Sequence, residues 1–208
     1  MATAMDLGVM AAQGERAADA ERRFLLSRVP WSLYLTLRDA LGDDDATRMT
    51  YLEGTLELMS PSTAHEDVKT ILARLLEAWA MELDVDLRGF GSATFRKEAK
   101  QRGLEPDECY TLGPLEEGGV PLIAIEVEIT SPLIDKLEVY AGLGIREVWL
   151  WRDGVVAVRC LVEGQYEPRT TSEVLPALDV TLLARFVRRG ESQTTLAKAF
   201  LAAVREAG

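Results

Sequence analysis

The chain has 208 residues, 48% of them hydrophobic and 27% charged, which is enough apolar material for one domain with its own core. The formal net charge of −11 excludes a broadly basic surface that grips nucleic acid through its phosphates; it leaves room for a local basic strip and suits a site that collects cations. No run of about 18 apolar residues predicts a membrane span, and the two cysteines, Cys109 and Cys160, lack metal-ligand spacing, so free thiols in a cytoplasmic protein are expected.

Residues 1–20 are Ala-rich and lack the basic and long apolar regions of an export signal; they read as a disordered leader. Residues 21–208 read as a single domain. A short helix is predicted over 30–41, with Pro30 in its first turn. The runs 48–52 and 55–59 predict a hairpin across Glu53-Gly54. Thr63 and Glu66 have capping-box spacing. The helix that follows, to about Leu83, carries Val68, Ile71, Leu72, Leu75, Leu76 and Trp79 on one face.

Short strand-like runs come next, near 85–90, 92–98 and 107–112, and a strong one spans 120–130 until Ser131 and Pro132 break it. A helix over 133–142 leads to a strand at 145–151. Asp153-Gly154 turns that strand back into 155–162. One more strand over 165–170 and helices over 179–188 and 194–206 complete the chain. Residues 62–151 thus read α-β-β-β-α-β. The strands at 120–130 and 145–151 are parallel across their crossover helix, within a mixed sheet.

Acidic residues interrupt the most apolar part of this pattern. Glu126 and Glu128, two apart in a strand, point to one face, while Ile125, Val127 and Ile129 point to the other. If the run carrying Asp107 pairs antiparallel with this strand, Asp107 comes close to Glu126. Like charges that close raise each other's pKa, and a Mg²⁺ or Mn²⁺ ion removes the conflict. The bland reading is a half-exposed strand face with solvated acids, and spacing alone leaves both open.

His65, the sole histidine, is either a neutral hydrogen-bonding group over such a site or a capping accessory, because the first helical turn disfavours an imidazolium. Glu57 either faces the same site or is solvated. Arg96, Lys97, Lys100 and Arg102 form the dense basic patch, fit either to hold phosphates or to solvate a loop. Trp149 and Trp151 share a strand face and read as core or interface filler.

Gly54, Met59-Ser60-Pro61-Ser62, His65, Pro106-Asp107, Ile125-Glu126-Val127, Ser131, Asp135-Lys136, Tyr140, Gly144-Ile145, Glu147 and Trp149 occur in an order that resembles the Uma-type family. These are restriction-endonuclease-like proteins, common in bacteria, within the PD-(D/E)xK nuclease superfamily. The resemblance covers about residues 30 to 160. It implies an α/β restriction-endonuclease-like core with an N-terminal helix and hairpin and C-terminal helices, and a Mg²⁺-dependent (or Mn²⁺-dependent) phosphodiesterase site acting on nucleic acid, DNA foremost.

By position, Asp107 and Glu126 would be metal ligands, with the backbone carbonyl of Val127 a third. The superfamily lysine normally stands two residues after the second acid. Here Glu128 stands there, and Lys136, in a Lys-x-x-x-Tyr pattern, resembles that lysine moved onto the following helix. If it does not reach the site, Glu128 is an extra metal ligand or the site is inactive. The fold's habit also implies a homodimer, through a face formed by Trp149, Trp151 and the final helix. The competing reading is a catalytically inactive endonuclease-fold module that binds nucleic acid or protein.

Overall fold

The computed structural model describes residues 8–13, 21–42, 47–116 and 118–207. Part of the expected disordered leader is a strand, β1 (Gly8–Gln13), paired antiparallel with β2 (Arg22–Ser27). The rest of that expectation, residues 1–7 and 14–20, lies outside the described residues. Helix α1 (Trp31–Leu41) starts after an extended Pro30. Strands β3 (Arg48–Leu52) and β4 (Thr55–Ser60) form the expected hairpin. Its two turn residues, Glu53 and Gly54, both take positive φ (47° and 87°), which matches the strand twist in a two-residue loop.

Helix α2 (Thr63–Glu82) begins one residue earlier than capping-box spacing predicts. Ser62 is the N-cap, and its Oγ accepts the His65 backbone N–H at 3.1 Å. The predicted apolar face is the buried one: Val68, Ile71, Leu72, Leu75, Leu76 and Trp79 are all at most 2% exposed. Each such side chain contributes roughly 1.5–3 kcal/mol.

After α2 come β5 (Leu87–Gly89), β6 (Phe95–Lys97), a 3₁₀ turn (Glu98–Lys100), β7 (Arg102–Leu104), β8 (Glu108–Leu112) and β9 (Ile123–Val127). Helix α3 (Lys136–Leu143) leads to β10 (Glu147–Arg152), β11 (Val155–Val162) and β12 (Gln165–Arg169). Helices α4 (Val180–Arg185) and α5 (Gln193–Ala207) follow.

The expected mixed sheet runs β12-β11-β10-β9-β8-β5, with β9 and β10 parallel and the other pairs antiparallel. The order α-β-β-β-α-β is realised by α2, β5, β8, β9, α3 and β10. The hairpin β6–β7 leaves this sheet and extends a second, wholly antiparallel one, β1-β2-β4-β3-β7-β6. The run near 92–98 is therefore shorter than its pattern suggests and belongs elsewhere, and β7, unmarked by any apolar run, carries it there.

Helix α3 lies between the sheets. Val139, Tyr140 and Leu143 pack with Ala124, Cys109 and Val148 of the mixed sheet and with Phe95 and Leu104 of the antiparallel one. On the far side of the mixed sheet, Ile123, Ile125, Val127, Trp149 and Trp151 pack against α2, α4 and α5. Alternation along β9 thus sends its branched residues to one core and Ala124 and Glu126 toward α3. Trp149 and Trp151 are buried, at 0% and 8% exposure, and so are Leu196 and Phe200 of the last helix. They fill the core and supply no external face for a dimer. Among the described residues, no helix is long and apolar enough to cross a membrane.

Candidate active site

Asp107 stands one residue before β8, and the antiparallel register Glu108↔Ile125 brings it beside Glu126 on β9. Both side chains are buried, at 1% and 0% exposure. Lys136 opens α3, just after its N-cap Asp135, whose carboxylate accepts the Leu137 N–H at 2.9 Å. From that first turn its ammonium reaches back and donates to Glu126 Oε2 at 2.5 Å. One turn later on the same face, Tyr140 donates its hydroxyl to Glu126 Oε1. The displaced lysine therefore does reach the second acid.

Asp107 is held from two sides. Its Oδ2 accepts the Val127 backbone N–H at 2.7 Å, and its Oδ1 meets His65 Nε2 at 2.8 Å. The other ring nitrogen, Nδ1, meets Glu21 Oε1 at 2.7 Å. His65 is fully buried between the two carboxylates. Burial works against its charge, yet Asp107 and Glu21 together raise its pKa to about 9. The neutral ring expected from its place at a helix N-terminus is thereby corrected, because two adjacent carboxylates outweigh a dipole effect of about 1 kcal/mol. Burial also opposes the Asp107 charge, but His65, Lys136 and the Val127 N–H hold it well below the usual carboxylate range. Glu126 is pushed up to about 6 by burial, with Asp107 adding to it against Lys136 and Tyr140.

The network continues into the antiparallel sheet. Arg23 on β2 donates to Glu21 Oε2 at 2.7 Å and to Glu57 on β4. Glu57 Oε2 accepts the backbone N–H groups of Leu133 at 2.5 Å and Ile134 at 3.0 Å, in the segment leading into α3. Glu57 is thus buried and engaged rather than solvated. Four carboxylates (Glu21, Glu57, Asp107, Glu126) face three cations (Arg23, His65, Lys136) in one buried cluster.

Other predicted residues lie apart. The ladder of β9 ends at Val127, and the Glu128 carboxylate pairs with Arg152 at 2.7 Å rather than with the Asp107–Glu126 pair. Arg96, Lys97 and Lys100 are exposed on β6 and the 3₁₀ turn, at the edge of the antiparallel sheet. Arg102 is engaged by Glu53 at 2.9 Å and Glu138 at 3.1 Å.

Glu21, Arg23 and Tyr140 complete the cluster without having been marked as site residues. For Tyr140 a signal existed, its i, i+4 spacing from Lys136. For Arg23 the pattern misleads: it is 1% exposed while its neighbour Phe24 is 46% exposed, the reverse of what polarity predicts for a strand.

The donor set suits a hard divalent cation. Each oxygen of Asp107 and Glu126 accepts one hydrogen bond, and a carboxylate oxygen carries two lone pairs. Among the described residues, no group of three or more His, Cys, Asp or Glu side chains is arranged as a metal cage. A Mg²⁺-type ion does not require one, since one or two carboxylates with waters and substrate phosphates satisfy it.

A mixed sheet with two acids at the ends of adjacent strands, and a lysine returning to them from the crossover helix, defines a restriction-endonuclease-like protein. The family model of Uma2, whose description is "Putative restriction endonuclease", matches residues 31–190, and the chain belongs to that family. No curated protein matches the chain.

Proposed function

We propose that the protein is a metal-dependent nuclease that hydrolyses phosphodiester bonds in nucleic acid, DNA foremost. The observation that carries this reading is the pair Asp107–Glu126 with Lys136 Nζ 2.5 Å from Glu126. Asp107 and Glu126 would hold a divalent ion, Mg²⁺ or Mn²⁺, and that ion, when bound, polarises a phosphoryl oxygen and acidifies a water.

The chain's own groups do the rest. His65 and the Val127 N–H fix the Asp107 carboxylate and keep it ionised. Lys136 brings a positive charge to where negative charge develops on phosphate. Tyr140 orients Glu126 through its other oxygen. Exposed Arg96, Lys97 and Lys100 would contact backbone phosphates. A cytoplasmic location, and a homodimer formed through a face other than the buried Trp149 and Trp151, belong to the same reading; a monomeric mass in light scattering would remove the second.

Cleavage of DNA and RNA in Mg²⁺ and in Mn²⁺ tests the proposal, with the wild type beside Asp107→Asn and Lys136→Ala. Activity is expected in the wild type and a loss of about 100-fold or more in each variant. Activity that survives Lys136→Ala but not Asp107→Asn would keep the metal site and discard the lysine.

A second reading, an inactive endonuclease-fold module, is favoured by one observation: every oxygen of Asp107 and Glu126 already has a protein partner. It predicts nucleic-acid binding without cleavage, unchanged by Asp107→Asn and indifferent to Mn²⁺.

A further inference from the structure

Glu21 precedes the segment matched by the family model, residues 31–190, yet it joins the two halves of the candidate site. Its Oε1 meets His65 Nδ1 at 2.7 Å, and His65 Nε2 meets Asp107. Its Oε2 accepts the backbone N–H of Thr130 at 3.2 Å, the Thr130 hydroxyl, and Arg23 at 2.7 Å. Thr130 lies in the segment between β9 and α3, which ends at Lys136. Arg23 passes the restraint on to Glu57, which holds the backbone of Leu133 and Ile134 in that same segment. One buried carboxylate therefore restrains the arm that carries the first acid and the arm that delivers the lysine.

We propose that Glu21 is a positioning residue that couples these two arms, setting where Lys136 stands relative to Asp107 and Glu126. It touches no reacting atom; it acts through His65 on one side and the segment containing Thr130 on the other. The inference rests on the reading of Asp107 and Glu126 as metal ligands. In metal sites, partners that orient ligands typically change affinity or activity 10–100-fold when mutated. Amide exchange reads the two arms separately, because the Val127 N–H is held by Asp107 and the Thr130 N–H by Glu21.

The experiment uses the full chain with Glu21→Gln, Glu21→Asp and a control, Glu147→Gln. Glu147 is another fully buried carboxylate, bonded to Trp149, Ser172 and the backbone of Glu173 and Val174, away from the cluster. Glu21→Asp keeps the charge on a shorter side chain that cannot span both arms, so it remains informative if Glu21→Gln does not fold.

In both Glu21 variants the amides of Val127 and Thr130 are expected to exchange at least about tenfold faster, together, and Mn²⁺ affinity measured by calorimetry to fall about 10–100-fold. Glu147→Gln lowers stability and changes neither. The proposal is overturned if Thr130 speeds up while Val127 does not, if Glu21→Asp matches the wild type, or if Glu147→Gln weakens Mn²⁺ equally. A wild type that binds no Mn²⁺ would sink the metal reading of the site, and the exchange pattern would still decide whether Glu21 couples the arms.

Discussion

At the scale of single residues, the cluster around His65 makes stability depend on pH in a defined direction. His65 is raised from 6.5 to about 9, so the stability it contributes is fully present below pH 6.5 and is lost as pH rises through about 9. Burial opposes ionisation of Glu21, but hydrogen bonds from His65 and the charge of Arg23 lower it from 4.5 to about 2. Its contribution is present above pH 4.5 and lost as pH falls through about 2. Because Glu21 and His65 share one hydrogen bond, the two limbs describe one interaction and are not summed. The His65 shift corresponds to on the order of 3 kcal/mol. Glu126, raised to about 6, adds a loss between pH 4.5 and 6, so the maximum falls in the mildly acid range. Urea midpoints at pH 5, 7 and 9 should fall in that order. A flat profile from pH 7 to 9 would show that His65 is not an imidazolium in the fold.

Among secondary-structure elements, two glycines mark close approaches, of β7 on α1 and of α3 on β7. Tyr34 on α1 is fully buried and stacks on Tyr51 with ring centroids 4.9 Å apart. A Cβ at Gly103 on β7 would stand 2.9 Å from Tyr34 Cζ, and the ring, wedged between Trp31 and Tyr51, has nowhere to go. Gly103→Ala should cost about 1–3 kcal/mol by overpacking. Gly142 on α3 faces an equally close neighbour, Arg102, through its Cδ and, at 2.5 Å, its Nε; these belong to a long side chain that can rearrange only by giving up its pairs with Glu53 and Glu138. Gly142→Ala gains helix propensity of up to about 1 kcal/mol and disturbs ion pairs worth about as much at most. It should stay within about 1 kcal/mol of the wild type. Denaturant unfolding of both variants checks the contrast, and equal losses would refute it.

For the whole molecule, a net charge of −11 has to be reconciled with a polyanionic substrate. The exposed trio Arg96, Lys97 and Lys100 is the local exception that the proposal uses. If these residues meet phosphates, replacing all three by alanine should weaken DNA binding similarly across sequences. It should also reduce the slope of log K against log salt by about 2–3. An unchanged slope would place the nucleic acid elsewhere on the surface.

Local periodicity determined much of this protein. The apolar face of α2, the hairpin across Glu53-Gly54, and strands β9 and β10 are written at spacings of 3.6 and 2, and hydrophobic burial enforces those spacings wherever a face meets a core; α3 begins at Lys136 rather than 133 and carries no such stripe, since it packs between two sheets. Alternation put Glu126 on one face of its strand, but Asp107 stands opposite it only because the two strands pair antiparallel, which the tertiary structure decided. The tertiary structure decided which charges were buried. Glu21 and Arg23 lie in a charged stretch before Pro30 where the sequence predicts no element, and Glu57 looks like polar alternation. Their burial is tolerable only because each finds an opposite charge or a backbone donor from a segment distant in sequence, and an unpaired ion there would be too costly. The seating of β7 in the second sheet brings Gly103 under Tyr34 of α1. That contact joins residues far apart in the chain, and no local pattern encodes it.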